Sequence, residues 1–238
     1  MPGNERFSWD RLQPRLKAML ALQKALGMEE LFVPEKLRRA IMEGPPVAGN
    51  PLEADSLDGL QKGWGECTRC RLCESRQNLV FGEGNPHARL VFVGEGPGQE
   101  EDEQGRPFVG KAGQLLTDII EKGFKLRRSE VYIANIVKCR PPRNRDPETD
   151  EIETCIPVLW RQLELINPDV VCALGRVAAQ ALLGSKEPIS ALRGRFHRAR
   201  EFAILPTFHP AYLLRNPGAK REAWEDIKVI MKRFPQLG

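Results

Sequence analysis

Six cysteines give this 238-residue chain its first chemical handle. Cys67 and Cys70 form a C-x2-C pair, Cys73 extends it to C-x2-C-x2-C, and Cys139 and Cys155 follow far downstream. Two close thiolates with two distant ones can complete a four-sulfur site, which suits zinc or a [4Fe–4S] cluster. The downstream pair is spaced more widely than a zinc-knuckle C-x2-C, and the triplet has part of a ferredoxin spacing, so Cys73 is either a spare thiol or a ligand. Cys172 stands apart, inside the apolar run Val170-Val-Cys-Ala-Leu, and is expected to be a buried free cysteine.

A second group of reactive side chains follows the apolar run Leu90-Val-Phe-Val. There Gly94-Glu-Gly-Pro-Gly makes a glycine-rich turn, but it lacks both the G-x-G-x-x-G spacing and a Walker lysine. Glu95, Glu100, Glu101, Asp102 and Glu103 crowd the same stretch and would repel a phosphate. Such a loop can instead offer backbone N–H groups to a carbonyl while its carboxylates activate water or stabilise a developing cation. Breaking a glycosidic carbon–nitrogen bond needs those functions; the competing reading is a solvated acidic turn. Farther along, Thr207-Phe-His-Pro-Ala-Tyr-Leu-Leu-Arg-Asn-Pro supplies His209, able to donate to a leaving-group oxygen, and Leu213 and Leu214, apolar side chains of the kind that wedge into a base stack. Arg140-Pro-Pro-Arg-Asn-Arg and Arg193-Gly-Arg-Phe-His-Arg-Ala-Arg could contact phosphates.

Positioning these residues falls to alternating elements. Apolar runs at Leu90–Val93, Val131–Val137, Val170–Leu174 and Phe202–Pro206 predict strands, and periodic segments at Ala112–Lys122, Glu148–Ile166, Arg176–Leu183 and Arg221–Arg233 predict helices. The pattern predicts an α/β fold: a three-layer α/β/α arrangement around a central four-stranded, mainly parallel sheet. Ligands bind such sheets outside the carboxyl ends of the strands, which selects the loops from Gly94, Cys139, Gly175 and Thr207. Upstream, leucines at helical spacing between Trp9 and Leu26 and the segment Pro34 to Met42 predict two helices. The tract Gly44-Pro-Pro-Val-Ala-Gly-Asn-Pro predicts a linker, dividing the chain into a helical extension, 1–55, and a main domain, 56–238. The extension is expected to pack on the body, with docking of a partner protein as the alternative.

Apolar residues at 41% and charged residues at 29% describe a water-soluble chain. No apolar run approaches the roughly 18 residues of a membrane span, and Met1-Pro-Gly-Asn-Glu-Arg carries no apolar signal core, so a cytoplasmic monomer with no membrane association is expected. A net charge of +4 permits a polyanionic partner without demanding one.

From about Cys67 to Phe234 the sequence resembles the family 4 uracil-DNA glycosylases, the iron–sulfur branch of the uracil glycosylase superfamily. The resemblance rests on Cys67-Thr-Arg-Cys, Phe81-Gly-Glu-Gly-Asn-Pro, Gly94-Glu-Gly-Pro-Gly, Gly105-Arg-Pro-Phe-Val-Gly-Lys-Ala-Gly, Asn135-Ile-Val-Lys-Cys-Arg-Pro-Pro and His209-Pro-Ala-Tyr-Leu-Leu-Arg-Asn-Pro, in that order. It implies a [4Fe–4S] cluster on Cys67, Cys70, Cys139 and Cys155. It also implies that uracil flipped from DNA stacks on Phe108, bonds Asn135 and meets the backbone around Gly96. Glu95 and Glu101 match the family's catalytic acids and His209 its leaving-group histidine, while Leu213, Leu214 and Arg215 are implied to fall in the loop that enters the duplex; Arg140 is expected at the DNA from its arginine cluster. Gln99 stands where some relatives carry glutamate, and the Arg-Arg-Ile-His insertion of covalently trapping relatives is absent, so the resemblance implies a turnover enzyme. Two other readings compete: a non-catalytic iron–sulfur or zinc nucleic-acid-binding protein, and an electron carrier, which would have no use for Glu95 and His209.

Overall fold

The computed structural model describes residues 51–237. The helices expected upstream of the linker lie outside the described residues, as does all of the linker before Pro51.

A helix α1 (Leu57–Trp64), capped by the Ser56 hydroxyl accepting from the Gly59 N–H, leads into the cysteine-bearing segment. The sheet is built from β1 (Glu83–Gly84), β2 (Leu90–Gly94), β3 (Tyr132–Asn135), β4 (Val170–Leu174), β5 (His197–Ala199) and β6 (Phe202–Thr207), in the order β1-β3-β2-β4-β6-β5. Its four central strands are the expected ones and run parallel. The short antiparallel edges β1 and β5 make it six-stranded rather than four-stranded.

Side chains alternate across this sheet. Val91, Val93, Val171 and Ala173 pack with α1, α4 (Thr149–Ile166) and α5 (Arg176–Leu183), whereas Leu90, Phe92, Val170 and Cys172 pack with α3 (Lys111–Asp118) and α8 (Lys220–Arg233). That alternation explains the unbroken apolar runs, since a central parallel strand is covered on both faces. Each fully buried Val, Leu or Phe contributes about 1.5–3 kcal/mol of transfer free energy. Cys172 lies wholly within the second layer, as expected of a core thiol.

Two further helices lie at the carboxyl end of the sheet. The acidic run, expected as a loop, is helical from Gln99 to Gln104 (α2). Its carboxylates sit in the first turn, where the helix dipole favours them, and Gly105 ends it in the left-handed conformation, φ 69°. Asp102 is buried there and accepts from the N–H groups of Gln77 and Asn78, at 2.9 and 3.2 Å. After α6 (Ile189–Leu192) and β6 comes α7 (Pro210–Arg215), where a loop was expected. Among the described residues no helix is long and apolar enough to cross a membrane.

Candidate functional site

A cavity of about 390 Å3 opens beyond the carboxyl ends of β2, β3 and β6. Glu95, Gly96, Glu101, Phe108, Asn135 and His209, all expected on sequence grounds, line it together. Phe108 forms one wall, its ring centroid 5.6 Å from that of His209 and tilted by 31°. Its backbone is left-handed, φ 52°, a strained conformation for an aromatic residue. Gly113 makes room for it, because a Cβ there would overlap the Phe108 carbonyl. Gly94 leaves space in the same way: a Cβ would fall 2.6 Å from the Phe108 ring and collide with Asn135 Oδ1.

Asn135 ends β3 and is 2% exposed, yet its Oδ1 has no hydrogen-bond partner. Leaving a buried acceptor unpaired costs about 1–3 kcal/mol, so this atom is set up for a donor that arrives with a ligand. Behind it the fully buried Lys138 donates from Nζ to the Asn135 carbonyl (2.9 Å) and to Gln162 Oε1 (2.6 Å), which anchors the strand end. Gln162 in turn donates to the Phe81 carbonyl and the Tyr132 hydroxyl. The sequence reading missed Lys138 and Gln162, since neither residue type advertises a role in burial.

His209 caps α7 and accepts the Ala211 N–H on Nδ1 at 3.1 Å. The ring proton of the neutral form therefore sits on Nε2. Burial pulls the pKa of this imidazole down to about 4, and the nearby charge of Arg215 adds to the effect. His209 is thus a neutral N–H donor at physiological pH. Glu95 shows the opposite response: burial first, then the negative charge of Asp146, push its carboxyl up to about 7, while Arg176 works against them. Asp146 lines the cavity too and pairs with Arg176. Neither was anticipated; only the placement of the loop after β3 against the start of α5 brings them to Glu95.

The basic and apolar residues expected at DNA sort into different environments. Arg145 is not available to a phosphate, because it donates twice to the buried Glu151, at 2.6 and 2.8 Å. Arg71, beside Cys70, donates to the same carboxylate at 3.0 Å. Those bonds, led by the Arg145 pair, hold Glu151 down at about 2. Arg140 donates to Asn144 Oδ1 at 2.7 Å, whereas exposed Arg143 takes a left-handed backbone, φ 58°. Arg215 is exposed at the cavity rim. Leu214, 42% exposed, faces outward, but Leu213 is 2% exposed. The helical turn of α7 points Leu213 inward among Phe92, Leu174 and Ile227, so it serves as an apolar anchor rather than a surface wedge. Tyr212 lines the rim, stacked on Phe208 with centroids 5.0 Å apart.

A separate small cavity gathers Cys67, Cys70, Cys73, Cys139 and Cys155, with Trp64, Arg76 and Lys138. All five thiols are free. Arg76 donates to Cys139 Sγ at 3.1 Å, and the Lys138 N–H donates to Cys155 Sγ at 3.3 Å. Trp64 Nε1 is buried without a partner. Among the described residues no three His, Cys, Asp or Glu side chains converge as ligands of one metal ion would.

A closed aromatic wall, an unpaired amide oxygen, a neutral imidazole donor and a shielded carboxyl define a site for a planar polar ring and a charge-separating reaction on it. The family model of the Uracil DNA glycosylase superfamily matches residues 81–228, and the chain belongs to that superfamily. It is 43% identical over 184 residues to a type-4 uracil-DNA glycosylase of Sulfurisphaera tokodaii, covering 74% of this chain and 84% of the relative. A type-4 enzyme of Thermotoga maritima is 49% identical over 167 residues (68% and 86%), and a type-5 uracil-DNA glycosylase of Thermus thermophilus 32% over 174 (66% and 76%).

Proposed function

We propose that this chain is a DNA-repair glycosylase that flips uracil out of DNA and hydrolyses its N-glycosidic bond, leaving an abasic site. The observation that carries the reading is the buried, unpartnered Oδ1 of Asn135 beside the Phe108 ring. A flipped uracil stacks on Phe108 and donates its N3–H to that oxygen, while the amide N–H2 donates to O4. Cytosine offers a lone pair at N3 and an amine at C4, so both contacts become repulsive or unpaired.

Base release breaks the C1′–N1 bond and leaves its electron pair on uracil, giving an anion and an oxocarbenium-like sugar. His209 Nε2–H and the backbone around Gly96 stabilise the charge as it develops on the uracil oxygen. Glu95 and Glu101 face the sugar side, where a carboxylate stabilises the cation and orients water. Water adds its oxygen to C1′, and its proton passes to the carboxylate and on to solvent. Arg140, Arg215 and the exposed Leu214 meet the DNA around the vacated position. The enzyme is read as a monomer of the cytoplasm.

The sulfur cavity fits an iron–sulfur cluster held by Cys67, Cys70, Cys139 and Cys155. Its donors are thiols, the unpaired buried polar atom it holds among the described residues is an indole N–H able to donate to sulfur, and Arg76 and Lys138 supply compensating charge. Such a cluster, when bound, cross-links segment 67–70 to the loop after β3 and to α4, a structural service. The neighbouring ion pairs of Glu151 with Arg71 and Arg145 carry that link to the pocket wall.

An oligonucleotide with a single uracil tests the proposal: alkali cleavage at that position, and none at thymine in the same place, is expected. Intact binding to DNA without an abasic product would favour the binding-protein reading instead.

A further inference from the structure

Glu95 shares its cavity with Asp146, a carboxylate that no motif assigns and that is itself paired with a cation. Asp146 lies in the same cavity, at the end of the loop after β3, and its carboxylate pairs with Arg176 at the first position of α5. The loop is fixed where it matters. Arg145 donates to the Asp146 carbonyl at 2.9 Å while its guanidinium is clamped on buried Glu151. Asp146 therefore stands in the Glu95 cavity on a held backbone, although its own side chain is exposed.

We infer that Asp146 and Arg176 are positioning residues that set, by opposed charges, how readily Glu95 gives up the proton it must lose to serve the sugar cation and the attacking water. The inference deepens the glycosylase reading and rests on it. A negative neighbour raises the cost of ionising Glu95, and a positive one lowers it. This agrees with the signs of their effects: Asp146 holds the carboxyl up, Arg176 holds it down, and the net position is about 7. The other charged or titratable groups lining the cavity are Glu101 on α2, Arg145 after β3, His209 at the cap of α7, and Tyr212 and Arg215 on α7. His209 titrates near 4, well clear of Glu95.

Because Glu95 works as the carboxylate, base release must fall as pH drops through about 7. Asp146→Asn removes the negative neighbour and should move that acid limb about one pH unit lower; Arg176→Gln should move it higher. Opposite displacements are the signature, since a loop merely loosened by either change would lower the rate without sorting by sign. Added salt should shrink the Asp146→Asn displacement, as the pair is exposed to solvent.

The experiment measures single-turnover uracil release from pH 5 to 9 for the wild type, Asp146→Asn, Arg176→Gln and Glu95→Gln, with thermal melts to show that each variant folds. A limb flattened in Glu95→Gln and displaced oppositely in the other two is expected. Flattening in Glu95→Gln with no displacement, or displacement in one direction by both, would overturn the role of Asp146 and leave the glycosylase reading standing. Persistence of the limb in Glu95→Gln would overturn the role given to Glu95 and this inference with it.

Discussion

Replacing His209 with alanine separates binding from chemistry more cleanly than any other change in the pocket. In the proposed mechanism its Nε2–H meets a neutral carbonyl oxygen when uracil binds and an anionic oxygen when the bond breaks. A neutral hydrogen bond is worth about 1 kcal/mol net, whereas a preorganised donor to a developing oxyanion is worth about 3–4 kcal/mol. The first figure is lost from binding, and the difference, about 2–3 kcal/mol, is lost from the chemical step. Single-turnover release should therefore slow by roughly a hundredfold, while DNA affinity measured by fluorescence anisotropy weakens by no more than about fivefold. Since burial keeps His209 uncharged down to about pH 4, the defect should be equally deep at pH 6 and pH 9. Parallel losses in affinity and rate, or a defect that vanishes above pH 7, would refute the neutral-donor argument.

Three other predictions rest on separate features. Gly94→Ala places a methyl against the Phe108 ring and the Asn135 amide; it should lower the melting temperature by the equivalent of about 1–3 kcal/mol and cut base release more than tenfold, seen by calorimetry and the release assay. Arg143→Gly relieves a left-handed arginine, so stability should hold or rise slightly, while DNA binding weakens and the slope of log affinity against log salt shrinks by about 0.9. Cys67→Ser should abolish the brown iron–sulfur absorbance and lower stability, whereas Cys73→Ser should keep the colour; retained colour in the first would pass the ligand role to Cys73.

Sequence patterns carried the central sheet because its four parallel strands are apolar on both faces, and apolar runs such as Val170–Leu174 then stand out. The edges β1 and β5, two and three residues long, are too short to show a period and are made by pairing with β3 and β6. Charge misled the reading of Gln99–Gln104, where helix dipole and glycine boundaries outweigh the repulsion of adjacent acids. Pocket residues such as Phe108, Asn135 and His209 were legible through motifs. What motifs could not supply was partnership. Arg145 looks like a phosphate contact until Glu151 is found beneath it, Leu213 looks like a wedge until α7 turns it inward, and Asp146 has no local signal at all. Each depends on contacts between segments far apart in the chain.

The proposed selection of uracil by Asn135 and Phe108, and its departure with help from His209, is decided by chromatographic identification of the free base released from otherwise identical oligonucleotides carrying uracil, cytosine or thymine. Uracil alone should be released by the wild-type protein, with Asn135→Ala slowing that release at least tenfold. Release of cytosine at a comparable rate, or no free base from DNA that the protein demonstrably binds, would contradict it.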